Sequence, residues 1–233
     1  MERPVILMWG DTATGKSSLV AAALFDPGSQ LPSLQVGPTS RAASAVGFSR
    51  IWLRLRDGKP ALPTAADEVN VALVFNHGDA VHLKDVRGGL VDFEATDTAK
   101  QIVGSAKVIL YVMEFQSRDP GSQLKAIDAT WNLCVDIPKG LIFTKCELHL
   151  GQDHEAWEAR RGWWTSFQEL RAYDRYIERF GDAVFPTSVY GYHPESGFPA
   201  FTIGEFGELR PLGIRPCGVV KPFEWALSQI HEL

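Results

Sequence analysis

Between Gly10 and Ser17 the chain reads Gly-Asp-Thr-Ala-Thr-Gly-Lys-Ser, an instance of G-x-x-x-x-G-K-[ST]. Glycines at both ends of such a run let the backbone turn tightly, so that successive N–H groups converge on one point and hold phosphate oxygens. Lys16 adds a point charge for the outer phosphates and Ser17 a hydroxyl for Mg²⁺. The helix that starts there aims its positive end at the same anion. The pattern predicts a phosphate cradle made of Gly10, Asp11, Thr12, Ala13, Thr14, Gly15, Lys16, Ser17 and Ser18. Its setting is the one the motif requires, with the apolar run PVILMW before it and the helix-forming LVAAAL after it.

Other stretches carry chemistry at a distance from this loop. Asp85-Val86-Arg87-Gly88-Gly89 closes a strand-like run. Asp85 there is either a turn residue or an acid that holds Mg²⁺, followed by Gly88, whose N–H faces a γ-phosphate. Thr144-Lys145-Cys146-Glu147 and Thr187-Ser188-Val189-Tyr190 each follow a short apolar strand. Arg41, Arg50, Arg54 and Arg56 either reach a phosphate or form a solvated helix face, and the second is the commoner use of such spacing. His77 at a turn tip reads as solvated, and His149 and His154 match no zinc spacing.

The elements that must position these residues alternate between strand and helix. Asp26-Pro27-Gly28 ends the first helix. The segment from Gly28 to Pro63 reads as an insertion, with a helix predicted over Ser40 to Arg56. Glu68 to Phe75 and Ala80 to Lys84 flank a turn and predict a hairpin. A helix follows over Asp97 to Ala106. Lys107 to Phe115 is a continuously apolar strand, which implies burial on both faces. Asp119-Pro120 opens a helix with Leu124, Ile127, Trp131 and Val135 on one side, ended by Pro138. Gly140 to Phe143 is another buried strand. A long amphipathic helix is predicted from His154 to Phe180, with Trp164, Phe167, Leu170, Ile177 and Phe180 inward. Ala183 to Pro186 is a last strand, residues 191 to 216 form a loop-rich insertion with a short hairpin, and Pro222 to Leu233 is a closing helix. Such alternation predicts an α/β fold: a mostly parallel sheet with one antiparallel edge strand, helices on both faces, and a ligand at the carboxyl ends of the strands.

Composition narrows the class. The 233 residues suit a single domain. With 23 Lys and Arg against 28 Asp and Glu, and no basic run interleaved with aromatics, nucleic acid is not the expected partner. The cysteines Cys134, Cys146 and Cys217 form no C-x-x-C pair and suit reduced thiols. No apolar run approaches the roughly 20 residues that cross a bilayer, and neither a signal-peptide layout nor a lipid-anchor motif is present, so a cytoplasmic protein without membrane contact is expected.

In order and spacing along nearly the whole chain, these motifs resemble those of the Ras-like small GTPases of the translation-factor (TRAFAC) class of P-loop GTPases, as a divergent member of prokaryotic type. The phosphate loop is GDTATGKS. Thr64 precedes Asp85 by about the distance between the switch-one threonine and the switch-two aspartate. DVRG is similar to D-x-x-G, TKCEL to N/T-K-x-D, and TSVY falls where S-A-K would. The resemblance implies a three-layer P-loop NTPase fold and GTP or GDP as ligand, with Mg²⁺ held by Ser17, Thr64 and Asp85. It implies that the base is read by Thr144, Lys145 and Glu147, with backbone N–H groups of Ser188 and Val189 offered to guanine O6. Lys16, Thr64 and Gly88 would serve hydrolysis, and an effector or activating protein, or a second copy of the chain, would be the partner.

Departures from that pattern carry their own implications. Glu147 is one methylene longer than the usual aspartate, so guanine is selected over adenine only where the loop retracts to fit. Tyr190 replaces a lysine. Gly89 stands where many members place the glutamine that orients water, and Thr12 crowds the approach of an arginine finger. Turnover near or below the roughly 10⁻⁴ s⁻¹ of unstimulated small GTPases follows, unless Arg87, Asp11, an insertion arginine or a partner's residue substitutes. Two other readings use the same loop. One is a docking subunit that holds nucleotide without hydrolysing it, which Gly89 and Thr12 favour. The other is an ATP-dependent kinase or ATPase, which requires neither the hairpin before Asp85 nor the TKCE segment.

Overall fold

The computed structural model describes residues 3–11, 13–28, 35–36, 42–59, 70–76, 79–86, 97–115, 117, 120–150, 156–157, 159–193, 195–203, 205 and 209–231. The fold is α/β. Its main sheet has seven strands in the order β2-β3-β4-β1-β5-β6-β7, where β1 is Val5–Trp9, β2 Gln35–Val36, β3 Asn70–Asn76, β4 Asp79–Asp85, β5 Val108–Glu114, β6 Lys139–Thr144 and β7 Val184–Pro186. The run from β4 to β7 is parallel throughout. β3 pairs antiparallel with β4 as the hairpin pattern predicts, yet β3 is not the edge, because β2 pairs antiparallel with its far side.

Strand alternation sends successive side chains to opposite faces, and two cores result. Ile6 and Met8 of β1 and Val108, Leu110 and Val112 of β5 face one core. It is closed by α1 (Lys16–Phe25), α2 (Ala42–Arg56) and the last helix, α8 (Lys221–His231). Leu7 and Trp9 with Ile109, Tyr111 and Met113 face the other, under α3 (Asp97–Gly104), α4 (Pro120–Trp131) and the aromatic segment 163–180. Helices covering both faces explain why β5 is an unbroken apolar run.

The segment read as an insertion over Gly28 to Pro63 supplies core. Its helix α2 buries Phe48, Trp52 and Leu55 against α1, and its strand β2 extends the sheet. The helix opened by Pro120 stops at Trp131 instead of continuing to Pro138, and Val135 is 74% exposed rather than inward.

The long helix predicted over His154 to Phe180 is absent from its described part. In its place stand a 3-10 turn at Trp163–Ser166, the short helices α6 (Gln168–Arg171) and α7 (Asp174–Ile177), and a 3-10 turn at Glu178–Phe180. Gly162 sits at φ 66° and Phe167 is extended at φ −105°, ψ 121°, so the ladder breaks on both sides of Trp163. Aromatic packing outweighs the helical period here. Trp163 stacks on Phe115 with centroids 6.0 Å apart, meets Phe143 edge-on at 5.5 Å, and donates its indole N–H to Val184 O on edge strand β7 at 3.3 Å. Trp164, Leu170, Ile177 and Phe180 are nevertheless buried as the pattern requires. A separate two-stranded sheet, β8 (Phe201–Ile203) with β9 (Leu209–Pro211), forms the short hairpin within 191–216. Among the described residues no helix is long and apolar enough to cross a membrane.

Candidate functional site

Parallel pairing brings the carboxyl ends of the central strands together, with Met8 beside Asp85 and Glu114 beside Thr144. From the end of β1 the loop turns sharply under β5. A Cβ on Gly10 would lie 2.1 Å from Val112 O, so no other residue fits without moving the strand. Ala13 (φ 63°) and Gly15 (φ 87°) both lie in the left-handed region, a backbone that turns N–H groups inward as an anion nest does. Helix α1 then starts with no side-chain cap on Gly15 and no acidic residue in its first turn. Its positive dipole end is therefore balanced by no acidic side chain of its own first turn.

Lys16 is buried, and its ammonium folds back onto the loop, donating to Gly10 O at 2.8 Å and Asp11 O at 2.6 Å. Burial lowers its pKa, with the charges of Asp85 and Asp11 working the other way. Ser17 Oγ donates to Asp85 Oδ2 across 68 positions of sequence. Burial pushes the Asp85 carboxyl up, opposed by that hydrogen bond and by Lys16. A hydroxyl and a carboxylate touching each other form an oxygen set suited to a hard cation such as Mg²⁺. Among the described residues no cluster of three or more His, Cys, Asp and Glu side chains forms.

The second half of the site is joined to the first through Thr144. Its hydroxyl lies 2.5 Å from Thr14 O and 3.2 Å from Met113 O, tying the end of β6 to the phosphate loop. Lys145 follows at φ 59° and pairs with Glu114 at 2.9 Å. Its predicted place over a base thus has a specific anchor at the end of β5. Glu147 opens the short helix α5 (Glu147–Leu150) and is 3% exposed. Ser188 donates to its carboxyl, and burial outweighs that bond to raise its pKa. Its Oε2 atom is buried with no hydrogen-bond partner among the described residues. A buried carboxylate oxygen left without a donor is costly, and ligand N–H groups at this point would remove the cost.

The 187–190 segment departs from expectation. Cys146 N–H donates to Thr187 O at 3.1 Å, which sets this segment beside Glu147. The Ser188 N–H, expected to face guanine O6, donates instead to Cys217 O at 3.0 Å, and Ser188 O accepts from Cys217 N–H at 2.9 Å. Of the two backbone donors assigned to O6, Val189 N–H remains. Physically, Cys217 enters as an isolated antiparallel bridge to Ser188 and takes both of its main-chain groups.

The structure therefore brings Gly10, Asp11, Ala13 to Ser18, Asp85, Thr144, Lys145, Glu147, Ser188 and Val189 to one end of the sheet. Thr12, Thr64, Arg87, Gly88, Gly89, Arg41, His77 and His154 lie outside the described residues. Of the insertion arginines, Arg50 and Arg56 are exposed on α2. Sequence reasoning missed Glu114 and Cys217. A lone acid ending an apolar strand was the available signal for the first, and nothing local marks the second. A cleft elsewhere, lined by Arg160, Arg161, Gly162, Trp164 and Asp182, precedes β7 at the opposite end of the sheet, with Arg161 and Asp182 paired at 2.9 Å on its exposed rim.

No family model matches the chain, and no curated protein matches it.

Proposed function

We propose that this chain is a guanine-nucleotide-binding protein of P-loop, Ras-like architecture. It acts as a cytoplasmic molecular switch, with slow Mg²⁺-dependent hydrolysis of GTP to GDP and phosphate that a partner or second copy accelerates. The observation that carries this reading is the Thr144 hydroxyl on Thr14 O. It couples a loop suited to phosphate with a strand end that leads into a buried carboxylate whose Oε2 lacks a donor among the described residues. Lys16 would turn its ammonium from the loop carbonyls to the β and γ phosphates, and Ser17 and Asp85 would hold Mg²⁺, which supplies charge neutralisation to the phosphates. Glu147 would accept from guanine N1–H and N2–H, donors that adenine lacks.

Labelled GDP in Mg²⁺ buffer, competed in parallel by GTP and ATP with Lys16→Ala as control, tests this directly. GTP is expected to displace the label, ATP to displace it poorly and the variant not to bind. Equal competition by ATP would overturn the guanine assignment. Phosphate release in the same samples distinguishes a slow GTPase from a subunit that only holds nucleotide, the reading that Gly89 and Thr12 favour.

A further inference from the structure

Where β5 and β6 end, a side chain from each meets the other: Lys145 Nζ lies 2.9 Å from Glu114 Oε1. Glu114 is fixed by its neighbours. Its N–H donates to Gln123 Oε1 of α4 at 3.2 Å, its carbonyl accepts from Ser117 N–H at 3.2 Å, and in the sheet it stands beside Thr144. Lys145 lies in the left-handed region at φ 59°, a costly backbone for a residue that is not glycine. The two side chains are 33% and 27% exposed, and an ion pair that open to water adds little to stability. Folding alone therefore gives weak reason for the strained lysine and its pairing. Two residues on, Glu147 Oε2 is buried with no donor among the described residues, although Lys145 is the cation nearest to it in sequence. The lysine's charge is felt at Glu147, yet its ammonium is bound to Glu114.

We propose that Glu114 is a positioning residue of the base site: it holds the Lys145 ammonium at the end of β5 and so keeps Glu147 Oε2 open for the N–H groups of guanine. This rests on the guanine-nucleotide reading above. Two carboxylates compete for one ammonium, and the one that wins decides what the other can bind. A lysine has donors and no acceptor. Seated on Glu147, it would fill the lone pairs that guanine N1–H and N2–H are to occupy and present nothing in exchange. Held by Glu114, the same lysine keeps its charge near the Glu147 carboxyl, which favours the ionised acceptor, while its bond goes elsewhere. Adenine has no N–H at those positions and gains nothing from an open Glu147, so the pair sets the preference between purines as well as affinity.

The test is a cycle of variants on the full chain: Glu114→Gln, Lys145→Met and both together, each measured for Mg²⁺-dependent binding of GDP and ADP and for binding of inorganic pyrophosphate. Glu114→Gln alone is expected to weaken GDP roughly tenfold, because the freed ammonium turns to Glu147, and to weaken ADP less, so that the preference for GDP narrows. Pyrophosphate, which engages the loop alone, should bind as before. In the Lys145→Met background, which has no ammonium, adding Glu114→Gln should change GDP affinity by less than about twofold. Undiminished GDP affinity in Glu114→Gln would overturn the proposal, as would a loss of the same size in the background without the ammonium. A loss shared by pyrophosphate would overturn it too, because the residue would then only hold the strand ends together. Failure of the unmodified protein to prefer GDP over ADP would sink the guanine reading itself and this proposal with it, whereas a clear preference for GDP that Glu114→Gln leaves unaltered would sink the proposal alone.

Discussion

At the phosphate end the charged groups have partners inside the fold: Lys16 on Gly10 O and Asp11 O, Asp85 on Ser17. At the proposed base end, across the Thr144 tether, Glu147 Oε2 is buried and has no partner among the described residues. If a nucleotide binds as proposed, the 10–17 loop must release the Lys16 bonds to Gly10 O and Asp11 O, so part of the binding energy would go into rearrangement. The proposed base end has an acceptor already desolvated beside Ser188, so its cost falls on the stability of the free protein and would be recovered on binding. On the proposed reading, phosphates would be met by a loop that rearranges and the base by a site already in place.

Removing the lysine attacks that comparison hardest. Lys16→Ala takes away a charge-assisted contact to the phosphates and removes the ammonium's bond to the buried Gly10 O, while Asp11 O keeps the Thr14 hydroxyl, so GDP affinity should fall roughly 100-fold or more. Titration of labelled GDP measures it, and a loss below about fivefold would mean that the loop does not hold phosphate. Thermal unfolding of the same variant should show destabilisation, since the ammonium also ties the loop together.

How much of this was legible follows from where each constraint lies. β1 and β5 were readable because burial on two faces writes itself as a continuous apolar run, and the loop was readable because its glycines and Lys16 are local. The Thr144 to Thr14 bond spans 130 positions and depends on strand order, so no local pattern encodes it. The 154–180 stretch misled because its aromatics satisfy a helical period while actually meeting Phe115 and Phe143 from separate short turns. The pairing of Ser188 with Cys217 is likewise tertiary, and it alone removed a donor that the motif seemed to supply.

Glu147→Gln separates the two ends next. The amide keeps the shape, removes the buried charge, and presents a donor to guanine donors, so preference for GDP over ADP should collapse by roughly tenfold or more. The free variant should also be more stable than the unmodified protein by about 1 kcal/mol, because the unpartnered charge is gone. Chemical denaturation without nucleotide checks this; a less stable variant would mean that Glu147 is satisfied in the free protein.

The same carboxyl predicts a pH signature. Burial raises the pKa of Glu147 in the folded state, so the fold binds that proton more tightly than the unfolded chain does. Its contribution to stability is therefore fullest below the ordinary glutamate range and declines as pH rises through the raised value. Asp85 is shifted in the same direction and adds to the slope. Guanine needs the ionised acceptor, so GDP affinity should run oppositely and weaken as pH falls through the raised value. Stability curves of the free protein, set beside GDP affinity across pH 4 to 8, should diverge in the unmodified chain and lose part of that divergence in Glu147→Gln. Parallel curves would contradict the assignment of Glu147 to the base.

The smallest effect bears on the tether. Thr144→Val keeps the β-branched shape that suits a strand end and deletes only the hydroxyl, leaving Thr14 O buried without its donor. Loss of one such bond costs about 1 kcal/mol, so GDP should bind roughly fivefold more weakly. Inorganic pyrophosphate, which engages the loop alone, should bind the variant and the unmodified protein equally. The reason is geometric: the hydroxyl sets the distance between loop and carboxylate, and only a ligand that spans both ends senses that distance. Were pyrophosphate to lose the same factor as GDP, the hydroxyl would be shaping the phosphate loop itself, and the two ends would be one device instead of two joined by a pin.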